Sequence, residues 1–301
     1  MSYSDLSCTI IIDGSSLAGY IRKVSIRGAL CAPGAVGTIV IAPDYPSAIE
    51  PGQSVTVTLD GTLVFTGSVT EAAPERPSYD IAISVADEYL RVSRYFNPEQ
   101  LTTTEIVSAS SIISQILSPT GINYSIQATD VLVPPGIQIG LRHAHEALQD
   151  VMAYMTAYAY CDAGGTLIIR TLEGGSEHTY TDTIVRFVHT QSDEMTRNVI
   201  KVFGASGFDI TGTGRIFAKA TRSKDSLGLP VDKTAAVGSS LIETPAEASR
   251  VANYLISELG RLDDIVEAEV VGDATIFIGD RARFIYRHYS GVAPVSTLAH
   301  N

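Results

Sequence analysis

Tryptophan is absent from the 301-residue chain, cysteine occurs three times, and basic residues are outnumbered by acidic ones, 21 to 33. Each shortage narrows the field. Without tryptophan the usual stacking platform for sugars is missing, which weighs against a plain glycan-binding module. Cys8, Cys31 and Cys161 show no metal-ligand spacing, and their odd number builds no disulfide framework. They read as small buried thiols of a reducing compartment. The formal net charge of −12 repels phosphates, so no specific nucleic-acid binding is expected. No apolar run reaches bilayer-spanning length, and the opening MSYSDLSCTIIIDG lacks a basic region followed by a long apolar one. The expectation is a soluble protein made in the cytoplasm, with no membrane anchoring.

What is present is β-forming. Thr, Ser, Ile, Val and Gly are plentiful, and branched side chains fit a pleated, half-buried surface. Strands are predicted at 8–12, 19–27, 37–41, 54–59, 63–69 and 79–85. Turn chemistry separates them at Asp13-Gly14, Ala32-Pro33-Gly34, Pro51-Gly52 and Asp60-Gly61. In the hairpin GQSVTVTLDGTLVFTGSVT, Val55, Val57 and Leu59 share one face and Thr56 and Thr58 the other. Strict alternation puts one side in a core and the other against water or a polar surface. The first hundred residues therefore read as a small barrel or sandwich.

The period then changes. Thr102 and Glu105 have capping-box spacing, and Ile106, Ala109, Ile113, Ile116 and Leu117 follow at helical intervals until Pro119 and Gly121. A second helix is predicted over 144–160, with Leu148, Val151, Met152, Met155 and Ala159 on one face. It stops at Asp162 to Gly165, ahead of a strand at 166–170. Strands resume at 198–203. One more helix, at about 244–259, carries Thr244 as N-cap, Pro245 in the first helical position and Glu247 in the third, with Gly260 as its stop. Residues 38–57 and 267–286 also echo each other: in each, a strand, a turn and a second alternating strand follow in order.

Candidate chemistry is sparse. His143-Ala144-His145-Glu146 is the most metal-like cluster, but it opens a helix, where residues two apart diverge, and reads as a solvated first turn. Gly212-Thr213-Gly214 has no following lysine, and no Gly-x-Ser-x-Gly elbow occurs. Asp263, Asp264, Glu267 and Glu269 read as a solvated strand face and its turn. Met152, Tyr154, Met155 and Tyr158 read as helix core. Asp87 to Leu90 reads as a polar strand end followed by a helical turn. No catalytic, cofactor-binding or metal-binding residue is assigned, no cofactor is expected, and the chain is expected not to be an enzyme.

The order of these segments carries a resemblance. A G-x-x-V-x-V-x-x-D-G-x-x-V-F-x-G-x-V hairpin spans Gly52 to Val69, and an Asp-x-Tyr-Leu-like exit follows at Asp87 to Leu90. A helix–aromatic–D-x-G-G-T-L segment lies at Leu148 to Leu167, and an N-x-I-x-V-x-G strand at Asn198 to Gly204. Over most of its length the chain is similar to the tail hub proteins (late control or baseplate hub family) of contractile-tailed phages and related injection machines.

The resemblance implies an α+β fold, predominantly β, with two tube-like β-barrel or sandwich domains and an α/β insert between them. The expected ranges are 1–98, 99–192 and 193–301. It implies a homotrimeric ring with quasi-sixfold symmetry, joining tail tube to central spike in the virion baseplate while DNA transits the lumen. Tail tube protein, spike protein, baseplate wedge proteins and tape measure protein are the implied partners, with assembly in the host cytoplasm. The short stretch after the last strand implies a reduced or absent spike-docking domain. Two other readings stand beside it: a hexameric distal-tail or tube-initiator protein, and a tail-tip glycan or peptidoglycan hydrolase.

Overall fold

A computed structural model of the chain describes residues 7–29, 34–74, 79–133, 135, 138–171, 176–194, 196–208, 215–239, 241–260, 263–270, 273, 275–276, 280–287, 289–295 and 297–300. The fold is α+β and dominated by strands.

The first unit contains β1 (Cys8–Ile12), β2 (Ser15–Ser16), β3 (Ile21–Ala29), β4 (Val36–Ile41), β5 (Ser54–Leu59), β6 (Thr62–Pro74) and β7 (Ile81–Asp87). They pair in the order β2-β1-β5-β6-β7-β4-β3, a curled half-barrel. The β5–β6 hairpin turns on Asp60 and Gly61, both at positive φ, as a two-residue turn between twisted strands requires. Alternation works as read from the sequence. Ile10, Ile39, Val55, Val57 and Ile83 are wholly buried in one apolar cluster, while Thr56 and Thr58 lie on the other face. The turn at Ala32-Pro33-Gly34 lies partly outside the described residues.

The middle of the chain runs α1 (Tyr89–Arg94), β8 (Phe96–Thr102), β9 (Val107–Ser108), α2 (Ala109–Leu117), β10 (Tyr124–Ile126), β11 (Leu132–Val133), β12 (Gln138–His143), α3 (Ala144–Met155), β13 (Tyr158–Cys161) and β14 (Leu167–Arg170). Two helix boundaries differ from the sequence reading. Thr102 ends a strand instead of capping a helix, because β8 pairs with β12 and β9 with β11, and the chain bends at Thr104 and Glu105 between them. Ser108 is the true N-cap, accepting from the Ser111 amide, and Ile106 stays exposed. The second helix ends at Met155, where Thr156 turns left-handed, so Ala159 lies on a strand. The Tyr158–Cys161 strand pairs with β14 across the Asp162–Gly165 turn, which Asp162 closes by accepting from the Thr166 amide.

The remainder is β15 (Glu177–Tyr180), β16 (Ile184–Ser192), β17 (Val199–Phe208), β18 (Arg215–Thr221), β19 (Thr234–Gly238), α4 (Pro245–Leu259), β20 (Asp263–Val270), β21 (Arg281–Tyr286), β22 (Tyr289–Pro294) and β23 (Thr297–His300). Helix α4 carries the expected capping box: Glu247 N donates to Thr244 Oγ1 while the Glu247 carboxylate accepts from the Thr244 amide. The strand motif at Asn198 has a physical reason. Its buried amide donates to the Arg222 carbonyl and Asp232, and its oxygen accepts from the Lys233 amide, so one side chain brackets β17, β18 and β19.

Strand pairing links segments distant in the sequence. Position 98 lies inside β8. Strands ahead of position 192 pair with strands far beyond it, β15 with β21 and β16 with β20. Helices α2, α3 and α4 and strands β14, β17 and β18 contribute to one apolar cluster. The segments 177–192 and 263–294 form their own set of sheets, β15-β21-β22 and β16-β20.

This late set repeats part of the pairing of the first unit. There β3 pairs with β4, β5 with β6, and β1 flanks β5. Here β16 pairs with β20, β21 with β22, and β15 flanks β21. The echoing stretches 38–57 and 267–286 fall on β4–β5 and β20–β21. Two features depart: β1 runs antiparallel to β5 whereas β15 runs parallel to β21, and β7, which joins β4 to β6, has no counterpart among the described late strands, which form two separate sheets. The chain then returns to its start, for β23 pairs with β3 and becomes the eighth strand of the first sheet.

The close approach of β6 and β7 at Gly67 is a sensitive point, since a Cβ there would lie 2.2 Å from the Ala86 carbonyl oxygen. Gly67→Ala is expected to lower stability by about 1–3 kcal/mol through backbone displacement, measurable by denaturant unfolding. An unchanged midpoint contradicts it.

Candidate assembly surfaces and the junctions behind them

No described helix is long and apolar enough to cross a membrane, and the described residues hold no cluster of three or more His, Cys, Asp or Glu side chains placed for a metal. The prominent features are sheet faces and the polar joints that hold them.

The outward face of β3, β4 and β7 is a groove of about 950 Å³. Its floor is made of small residues such as Thr38, Ala82 and Ser84, and Lys23 and Arg27 stand at its β3 side. Small side chains keep the groove open, and the alternation that buries Ile39 and Ile83 on the other face is what sets them here.

Behind the first sheet lies a joint built on Asp87, which is only 4% exposed. Its Oδ2 accepts from the Ala35 amide at 2.7 Å and its Oδ1 from the Tyr89 amide at 3.0 Å, so one carboxylate ties β4 and α1 to the end of β7. Gly34 closes this joint. It sits at φ +79°, and a Cβ there would lie 2.1 Å from Asp87 Oδ1. Burial pushes the Asp87 carboxyl up to about 6, against the two backbone donors and the Cys161 thiol, with the Glu88 charge adding to the rise. The Cys161 thiol is pushed up as well, first by burial and then by the Asp87 charge. The turn before β14 packs here: Gly165 lies against Glu88 and Thr66, so the hydroxyl face of the hairpin meets the insert. Leu298 of β23 lines the same small cavity.

A second joint ties the late sheets to β14. The His178 ring lies between two carboxylates, with Nδ1 3.5 Å from Asp273 and Nε2 3.3 Å from Asp280. Tyr180 donates to Asp273, and the Ser176 amide donates to Asp280. Burial pushes the Asp273 carboxyl up, but donors from Thr275 and Tyr180, with His178 nearby, leave it below its ordinary value. From β14, the Arg170 guanidinium reaches within 3.9 Å of Asp280 while its Nε donates to Tyr158. Buried charges so arranged fix a geometry more than they add stability, and removing one strands the others.

The residues singled out in the sequence fall as follows. His143 ends β12 and caps α3, and its ring lies 5.7 Å from that of His145. The two rings thus do approach, because His143 is still extended when the helix begins at Ala144. Glu146 is exposed beside them. Tyr154, Met152 and Met155 are core residues, and Tyr154 also donates to Glu247 of α4. Tyr158 belongs to β13. Glu267 and Glu269 lie exposed on β20. Gly212 to Gly214, and Cys31, lie outside the described residues. The sequence reading missed His178, Asp273 and Asp280, since partners about a hundred positions apart leave no local spacing to detect.

Two outcomes follow. The folded pKa of Asp87 is raised, so its stabilising share is complete below the ordinary value of 3.8 and is lost as pH rises through about 6. Asp87→Asn should flatten the fall in unfolding free energy over that window by on the order of 2–3 kcal/mol, read from denaturant curves at several pH values. An unchanged slope contradicts it. Asp280→Ala should lower stability by about 3 kcal/mol, with Asp280→Asn milder; equal small losses in thermal and chemical unfolding contradict the joint.

No protein family matches the sequence, and no curated protein matches it either. Solved structures do match. The 43 kDa tail protein of prophage MuSo2 from Shewanella oneidensis aligns with 97% of this chain and 93% of its own, at 19% identity and a TM-score of 0.71. The tail protein from Neisseria meningitidis MC58 aligns with 98% of this chain and 91% of its own, at 13% identity and a TM-score of 0.76. An Escherichia coli component of the type VI secretion system, described as similar in structure to T4 bacteriophage tail proteins, aligns with 96% of this chain and 72% of its own, at 10% identity and a TM-score of 0.57. Over nearly its whole length, this chain has the fold of prophage tail proteins.

Proposed function

We propose that this chain is a structural, non-enzymatic wall component of a phage tail baseplate or a related injection machine. In this reading three copies close into a ring, and each contributes two equivalent β units to a quasi-sixfold annulus. The ring joins the sixfold tail tube to a threefold central spike and leaves a lumen for DNA. The first unit is β1 to β7. The second is discontinuous, made of β15–β16 and β20–β22, with the β17–β19 sheet and α4 inserted into it.

The observation that carries this reading is the partly repeated pairing of the two units, together with the entry of β23 into the first sheet. A wall that alternates two units needs sheets whose edges continue into neighbours, and within this chain one such continuation is already made. The tail-protein fold supports it. The acidic balance supports it too, since a lumen that carries DNA works best when it does not hold phosphates. The partners in this reading are tail tube, spike, wedge and tape measure proteins, and the location is the virion tail after assembly in the host cytoplasm.

Native mass spectrometry of the purified protein, alone and with tube and spike proteins, should show a trimer. A monomer at every concentration and with both partners contradicts the reading. A hexamer replaces it with the tube-initiator alternative.

A further inference from the structure

The three-stranded sheet β18-β17-β19 turns one face to α4 and leaves the other open. Val202, Ile216, Ala218 and Ala220 pack on the helix side. On the open face Phe203 stands opposite Phe217 and Lys201 opposite Lys219, with Arg215 two residues before Phe217. The phenylalanines are 44% and 42% exposed, and their rings lie 5.2 Å apart.

Folding alone does not account for this face. Two ammonium groups in direct cross-strand register repel each other. None of Arg215, Lys201 and Lys219 has an ion pair among the described residues. A local surplus of cations around an exposed aromatic pair is also out of keeping with a chain of net charge −12. The strand that carries most of it, β18, is an edge: the sheet order places β17 on one side of it and no described strand on the other. Among the described residues, its outer row of amides and carbonyls meets no strand.

We propose that this face docks an extended acidic segment of a partner protein, added as a fourth strand along β18. Arg215, Phe217 and Lys219 are spaced two apart on one face. A partner strand carrying acid, apolar and acid side chains at the same period matches them one for one, with the apolar group seated on the phenylalanine pair. The match relieves the Lys201–Lys219 repulsion and satisfies the open edge. A polyphosphate is the weaker fit. It offers no backbone to extend the sheet, and its long run of charge meets the field of the whole acidic chain, whereas two carboxylates on a strand act over about 10 Å.

The test titrates the full-length protein into a fluorescent synthetic peptide that alternates threonine with glutamate, phenylalanine and glutamate. Saturable binding is expected, together with slower amide exchange over 215–221. Lys219→Glu and Phe217→Ser should each weaken binding about tenfold or more. Both side chains are solvent-exposed, so melting temperatures should stay near wild type, and Lys219→Ala serves as a milder second variant. Equal binding of a peptide with lysine in place of glutamate overturns the proposal. So does the absence of saturable binding, or preferential binding of a single-stranded oligothymidine that the same variants abolish. The readout does not depend on whether the protein forms a ring.

Discussion

The constraint on which the structure depends is that every strand edge needs a partner. Without β23 the first sheet would end on β2 and β3, and small sheets of two or three strands are marginal alone. The chain solves part of this internally, by bringing β23 back across nearly its full length to pair with β3. That pairing ties the end of the late strands to the first sheet, as the Arg170–Asp280 contact ties them to β14. The joints at Asp87 and Asp280 are polar and buried. Both sit where segments distant in sequence converge, and both fix position through directed hydrogen bonds that apolar contact could not supply.

The middle of the chain plays a different part. Helices α2, α3 and α4 share a core with β14, β17 and β18, so the insert and the later sheet behave as one packed body. Arg250 reaches the Tyr154 carbonyl, and Tyr154 reaches Glu247, stitching α3 to α4 across that core. The two β units keep apolar clusters of their own and meet this body at the polar joints of Asp87 and Asp280. In the proposed reading, this suits a wall element whose outer faces must stay available while its inner geometry stays fixed.

Much of this was legible in the sequence, for identifiable reasons. The hairpin at 52–69 and helix α4 were readable because alternation, an Asp-Gly turn and a capping box are local signals. The box at Thr102 and Glu105 carried the same local signal and failed, because long-range pairing took Thr102 into β8 and Val107–Ser108 into β9. The helix expected to reach 160 stopped at Met155 since Tyr158 to Cys161 found a strand partner in β14. The echo between 38–57 and 267–286 located β20 and β21. Nothing local announced that β15 and β16 would join them, or that His178 would meet Asp280, 102 positions away. Pairings of that separation depend on the whole fold.

The central claim is that one polypeptide supplies two interchangeable wall units. A cryo-electron microscopy map of the assembled ring at side-chain resolution tests it most directly. The account predicts that β1 and β3 to β6 of one copy, and β15–β16 with β20 to β22, occupy successive and superimposable positions around a common axis. Contradiction would be a map in which the late strands lie off that wall, leaving the first unit alone to line the lumen.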